Sequence, residues 1–282
     1  RKYPNGEKII SPGTVIVSAG GEVSDVKKVV SPVLVNDEKS TIYHIDFSFD
    51  KLRLGGSAFA QSLNKVGDDV PTVQNPEYFR DAFLAVQELV NKGLIMAGHD
   101  ISAGGLITTL LEMCFSNMEG GMEISLNKIK EDDIIKILFA ENPGIVIQVK
   151  DKHKEEVKKI LEDAGIGYVK LGKPTEERHI LVEKGDATYQ FGIDYLRDVW
   201  YSTSYLLDRK QSMNAAPKNV SRTTRNNLWN LYSTNHSPAN FHNSALTPTV
   251  VLRQVSKRLL SVKKEPMANA KWPTCSIWQD LM

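Results

Sequence analysis

A histidine, a carboxylate and a hydroxyl stand ahead of two glycines in the stretch Gly98-His99-Asp100-Ile101-Ser102-Ala103-Gly104-Gly105. A short apolar strand pattern, Leu94 to Ala97, leads into it. An apolar helix carrying Leu106, Ile107, Leu110, Leu111 and Met113 follows. Strand, glycine-rich turn and helix is the layout in which backbone N–H groups and the positive end of a helix dipole face an anion. In that setting Asp100 has the chemistry to hold Mg²⁺, a hard ion that takes oxygen ligands and shares them with nucleotide phosphates. Ser102 and the amides around Gly104 and Gly105 can donate to phosphate oxygens. A plainer arrangement uses the same residues: Asp100 or Ser102 caps the helix, and the glycines allow close packing. Spacing leaves both open.

Other polar residues suggest less. Gly55-Gly56-Ser57, ahead of a helix carrying Phe59, Leu63 and Val66, is either a second anion cradle or a tight turn. His44 alternates with Asp46 and Ser48, opposite Tyr43, Ile45, Phe47 and Phe49, which predicts a solvent- or partner-facing histidine. His153 and His179 lie in charged stretches without a catalytic pattern. Cys114 follows Met113 on an apolar helix and reads as core, with no basic neighbour to lower its pKa. Lys152, Lys154, Lys158 and Lys159 alternate with Glu155, Glu156 and Glu162, the pattern of a solvated helix face.

The elements that must position these residues form a chain of ordinary soluble composition. Its 282 residues are 41% hydrophobic and 24% charged with a net charge of +1, enough for one large domain or two modest ones. No apolar run approaches the roughly 18 residues of a membrane span. Two cysteines, Cys114 and Cys275, exclude a disulfide framework or a cysteine zinc site, so the expected setting is cytoplasmic. Strand-like runs occur at 13–19, 29–35, 43–49, 94–97, 144–149, 168–171 and 180–182. Helices are expected from Asn75, a good N-cap followed by Pro76, to Gly93, over 132–139 and 152–164, and from Ile193 onward. The mixture predicts an α+β (α/β sandwich) fold, a mixed, mostly antiparallel sheet packed by helices, with an irregular C-terminal tail.

Several separated motifs in order carry a resemblance: RLGGSAFAQ at 53–61, AGHDISAGGLITTLLEMCFS at 97–116, and ENPGIVIQV at 141–149. Together they resemble the formylglycinamidine ribonucleotide synthase family in its large single-chain form. More narrowly, residues 36–200 look like its synthetase C-terminal-type lobe, of the aminoimidazole ribonucleotide synthetase superfamily. The resemblance implies a purine-biosynthesis ligase that amidates formylglycinamide ribonucleotide with ATP, Mg²⁺ and glutamine-derived ammonia. It implies that Asp100 binds the metal and that Ser102, Gly104 and Gly105 meet the nucleotide, ATP or ADP. Residues 1–35 then correspond to the last strands of the preceding nucleotide-binding lobe, and 201–219 to a linker toward a glutaminase domain. The partners expected are the other synthetase lobes and that glutaminase domain, with no membrane. Two other roles compatible with the same lobe are a noncatalytic nucleotide-binding or pairing lobe and another ATP-dependent synthetase of the superfamily. No ligation is expected from this chain alone.

The resemblance stops after Asn219. Residues 220–282 contain eight Lys/Arg, only Glu265 and Asp280 as acids, and three of the four tryptophans. Reading the same stretch one base out of frame, with permitted synonymous codons, restores text similar to the family's linker and the start of its glutaminase domain. The expectation is therefore a frameshifted, disordered tail. The rival is a basic, aromatic arm for nucleic acid.

Overall fold

The structure, a computed structural model, describes residues 25–211 together with positions 4, 6, 17, 18 and 20–22. The tail at 220–282 and most of the strand-like run at 13–19 lie outside the described residues.

Seven strands form one sheet: β1 (Ser40–Asp46), β2 (Ile95–Asp100), β3 (Gly121–Ser125), β4 (Gly144–Lys150), β5 (Tyr168–Thr175), β6 (His179–Lys184) and β7 (Ala187–Gly192). Their spatial order is β2-β4-β1-β5-β3-β6-β7. Every neighbouring pair is antiparallel except β3 with β6. The sheet is therefore mixed and mostly antiparallel, as the pattern predicts.

Alternation along β1 explains why helices lie on both faces. Tyr43, Ile45 and Phe47 point to one side and join a buried cluster with α2 (Pro76–Asn91) and α5 (Lys154–Asp163). Ile42 points to the other side and joins α3 (Gly105–Phe115), α4 (Ile134–Phe139) and α6 (Ile193–Gln211). Each fully buried Ile or Leu contributes about 1.5–3 kcal/mol relative to exposure, so this two-sided burial is the main force holding the layers. α1 (Ala58–Ser62) is a single short turn whose Phe59 stacks on Phe139, with ring centroids 4.8 Å apart.

α2 starts where expected: the Asn75 side chain accepts from the N–H groups of Glu77 and Tyr78, and Pro76 opens the helix. Its buried stripe is Ala82, Ala85, Val86 and Leu89, whereas Phe83 and Leu84 are 49% and 55% exposed. Ala82, Ala85, Val86 and Leu89 share one helical face, so Phe83 and Leu84 fall outside it.

Two expectations are corrected. Residues 29–35 form no strand; a 3₁₀ turn at Val26–Lys28 is followed by an extended segment. This segment bonds into the lobe instead: Gly98 N–H donates to Ser31 O, Leu34 N–H donates to Met113 O, and Val35 exchanges two bonds with the Gln148 side chain. The helix after Gly55-Gly56 ends at Ser62, so Leu63 and Val66 lie outside it. α6 continues to Gln211, through the first part of the segment expected as a linker.

The candidate nucleotide edge at the end of β2

β2 pairs with β4 so that Asp100 lies opposite Ile145, and Ile101 N–H donates to Gly144 O at 2.9 Å. Ile101 then packs against the core. The chain turns through Gly104 (φ +91°) and Gly105 (φ +73°), both in the left-handed region that favours glycine. A Cβ on Gly105 would stand 2.7 Å from the Leu138 carbonyl oxygen and from the Phe139 carbonyl carbon. Gly105 is therefore glycine because α3 starts against the backbone of α4. Gly104 occupies the N-cap position, and no side chain caps α3.

With neither Asp100 nor Ser102 spent on capping, both stay on the surface. The Asp100 side chain is 77% exposed, and Ser102 is exposed beside it. The Asp100 backbone is held from behind, because Thr109 Oγ1 donates to its carbonyl oxygen at 3.0 Å. His99 secures the same strand end. Its Nδ1 lies 2.8 Å from Asp100 O and 3.4 Å from Asp100 Oδ1, and its Nε2 lies 3.1 Å from Glu112 Oε2. Glu112 also accepts from Trp200 Nε1 at 3.0 Å, which ties β2, α3 and α6 together. The hydrogen bond to Glu112 raises the His99 pKa above its ordinary value, against the opposing effect of burial.

The amides expected to meet phosphate are engaged within the chain. Gly105 N–H donates to Ser102 O at 3.0 Å, and Gly104 N–H donates to Glu141 Oε1 at 2.7 Å. Among the described residues the hydroxyl of Ser102 and the N–H groups of Ser102 and Ala103 make no hydrogen bond. Open donors and an open carboxylate thus sit side by side at the strand end.

The Gly55-Gly56-Ser57 stretch is a tight turn. Gly55 N–H donates to Asp69 O and Gly56 N–H to Val66 O, and a Cβ on Gly55 would lie 2.5 Å from Asp69 O. Ser57 caps α1, accepting from Ala60 N–H at 3.2 Å. Arg53 pairs with both Asp50 and Asp69 to close the loop.

Among the described residues no three His, Cys, Asp or Glu side chains gather into a metal cage. One exposed carboxylate still fits Mg²⁺, which is commonly held by one or two carboxylates with waters and substrate phosphates completing the octahedron. His44 corrects an expectation: it is half-buried in a cleft of about 890 Å³ shared with Asp46, Tyr78, Asn142 and Tyr168. Burial lowers its pKa from the ordinary value, with Asp46 opposing. Cys114 is core as expected, its thiol pushed up to about 12 by burial.

Residues 41–184, just over half of the chain, match the family described as AIR synthase related protein, C-terminal domain. The chain belongs to this family. The AIR synthase related domain runs from β1 to β6 and includes Asp100, Ser102, Gly104, Gly105 and Glu141. The chain is 32% identical over 214 residues to the probable phosphoribosylformylglycinamidine synthase of Arabidopsis thaliana, covering 75% of this chain and 15% of that protein. It is 33% identical over 224 residues to the phosphoribosylformylglycinamidine synthase of Homo sapiens, covering 78% and 16%. A further relative is the probable enzyme of the same name from Caenorhabditis elegans, 40% identical over 183 residues, covering 60% and 13%. The chain thus spans about 15% of the length of these relatives. Among solved structures it matches PurLQS from Thermotoga maritima with a TM-score of 0.48 at 16% identity, covering 61% of this chain and 28% of that one.

Two polar residues of this domain were not singled out from the sequence. Glu141 and Asn142 stand in the ENPG motif between α4 and β4, where they bind backbone groups distant in sequence: Glu141 those of Ala58 and Gly104, Asn142 those of Arg53 and Lys51. A carboxylate and an amide at a helix-to-strand junction were the available signal.

Proposed function

We propose that this chain is a synthetase lobe of a phosphoribosylformylglycinamidine synthase, an ATP-dependent C–N ligase of purine biosynthesis working in the cytoplasm. The observation that carries the reading is the exposed Asp100 carboxylate beside the unbonded Ser102 hydroxyl, at a helix entrance shaped by Gly104 and Gly105. Sequence similarity to enzymes of that name over three quarters of the chain supports it.

In this reading ATP phosphorylates the amide oxygen of formylglycinamide ribonucleotide, ammonia from glutamine adds at the carbon, and phosphate leaves. Mg²⁺, when bound, neutralises charge on the nucleotide phosphates. Asp100 holds that cation, and Ser102 donates its hydroxyl proton to a phosphate oxygen. Gly104 and Gly105 serve the nucleotide by shape, letting the turn sit low enough for Asp100 and Ser102 to share one edge. His99 and Thr109 keep the Asp100 backbone still, so the carboxylate is presented without reorganisation. The glutaminase chemistry and the remaining nucleotide contacts belong to other parts of the enzyme.

Calorimetric titration of the chain with ATP in Mg²⁺, for wild type and Asp100→Asn, tests the reading. Saturable binding that the substitution weakens at least tenfold is expected, and equal binding by both proteins would defeat it. Assay of the chain alone with formylglycinamide ribonucleotide, ATP and ammonia is expected to give no product. A second reading, a noncatalytic nucleotide-binding or pairing lobe, is favoured by one observation: the Gly104 and Gly105 amides are bonded inside the chain. Titration separates the two halves of that reading, since a lobe that only pairs would bind no nucleotide.

A further inference from the structure

Four lysines converge on a cavity over the middle of the sheet. It measures about 380 Å³ and is lined by Tyr43, Lys128, Lys154, Lys158, Tyr168 and Lys170, with no acid among them. Tyr43 of β1 stands opposite Lys170 of β5, Lys154 and Lys158 lie one turn apart on α5, and Lys128 belongs to the loop after β3. The candidate nucleotide edge is elsewhere, at the end of β2, where the chain passes into α3 on the opposite face. The protein cancels half of the cavity's charge. Asp151 pairs with Lys154 and Glu155 with Lys158, each at 2.8 Å. The ammonium groups of Lys128 and Lys170 make neither an ion pair nor a hydrogen bond among the described residues. A neighbouring cavity shares Lys128, Lys154 and Lys170 but carries Glu38, Glu123, Asp151 and Glu183, so an anion is favoured at the Tyr43 end.

Tyr43 supplies an independent observation. It is 1% exposed, yet its hydroxyl has no hydrogen-bond partner among the described residues and is not sealed from solvent. Buried polar groups are normally bonded. Burial raises the Tyr43 pKa, with Lys158 opposing, so the hydroxyl keeps its proton and is a donor. An edge-to-face contact with Tyr168, centroids 5.9 Å apart, fixes its ring, while the Tyr168 hydroxyl is spent on Glu162 at 2.7 Å. A donor without an acceptor thus stands beside two ammonium groups without a counter-ion.

We propose that this cavity binds a phosphate dianion, free or carried by a small ester, with Lys128 and Lys170 as its charge partners and the Tyr43 hydroxyl as a neutral donor. Two unpaired charges match a dianion, and three donor groups match its three acceptor oxygens. Lysine meets phosphate as a point charge, without the planar fork by which arginine selects carboxylates. The volume falls in the range of roughly 300–1,000 Å³ found for small-molecule sites, which leaves room for the body of an ester. Neither Asp100 nor Ser102 takes part, so the proposal stands or falls apart from the nucleotide reading.

The experiment titrates the full chain by calorimetry with inorganic phosphate, glycerol 3-phosphate and glycerol, in a chelator at pH 8, where the phosphate is a dianion. Wild type is expected to bind both phosphates saturably, with Kd of about 1 mM or tighter, and glycerol not at all. The double variant Lys128→Gln with Lys170→Gln removes both unpaired charges and is expected to weaken binding at least tenfold. Tyr43→Phe keeps the ring and loses the donor, so a loss of about threefold is expected. Lys159→Gln, on α5 but outside the lining, is expected to stay within twofold of wild type. Circular dichroism checks each fold; should Tyr43→Phe fail to fold, the two exposed lysines carry the test. Tighter binding of glycerol 3-phosphate than of phosphate would support an ester as the ligand, and equal binding would support the free ion. Absence of saturable binding in wild type would overturn the proposal, as would a double lysine variant within twofold of it.

Discussion

The two glycine turns of this lobe start from similar text and end differently. At 55–57 the amides of Gly55 and Gly56 bond to Asp69 and Val66, Ser57 turns its hydroxyl inward to cap α1, and the side chain is buried. At 100–105 glycine itself stands at the N-cap position, so Ser102 and Asp100 face outward. Both turns give an amide to Glu141. The lesson concerns where a polar side chain is spent. A serine that caps a helix is structural, and one relieved of that duty by a left-handed glycine is free to meet a ligand.

Predictions that test this contrast begin with the glycines, where the turns should behave alike. Gly55→Ala and Gly105→Ala each drive a Cβ into fixed backbone, and Gly105 adds a positive φ, so each should cost about 3 kcal/mol of unfolding free energy in urea titration. A loss below about 1 kcal/mol at Gly105 would mean that α3 does not begin against α4 as described.

At the polar residues the turns should part. Asp100→Asn is expected to weaken binding of ATP with Mg²⁺ at least tenfold while unfolding free energy stays within about 0.5 kcal/mol, because its side chain is 77% exposed. Ser57→Ala is expected to do the reverse, costing about 1 kcal/mol of stability through the lost cap and leaving nucleotide affinity unchanged. Ser102→Ala should leave stability unchanged and weaken nucleotide binding severalfold. A stability loss at Ser102 equal to that at Ser57 would erase the distinction.

A smaller effect concerns pH. The His99 pKa is raised in the folded protein, chiefly by its hydrogen bond to Glu112. The resulting stabilisation is fully present below the unfolded value of about 6.5 and is lost as pH rises through the folded value. Stability measured from pH 6 to pH 8 should therefore decline more in wild type than in His99→Gln. Cys114, on the buried side of α3 with its thiol pushed up to about 12, should remain unmodified by a thiol reagent at pH 8 until the protein unfolds.

Much of the fold was legible because burial writes a period into the chain. The alternation of Tyr43, Ile45 and Phe47, the cap at Asn75 with Pro76, and the apolar face of α3 each announce their element. β3 and β7 were not read. β3 has five residues, and β7 is an edge strand with Phe191 as its one buried position, so neither carries a full apolar repeat. The valines of 29–35 suit a strand, yet the segment makes one backbone bond with β2, from Gly98 N–H to Ser31 O, and its other bonds go to a carbonyl of α3 and to the Gln148 side chain.

By itself the sequence determined the order of strand, turn and helix around Asp100, the apolar character of α3, and the family. Those are properties of neighbours along the chain, set by side-chain period and by the conformational freedom of glycine. Only the tertiary structure decided which amides at the turn are already bonded. Glu141 lies 37 positions after Gly104 and 83 after Ala58, and no local spacing encodes a bond across that distance. Packing of α4 against the entrance of α3 brings the carboxylate there, and the obligation of each inward-facing N–H to find an acceptor holds it in place.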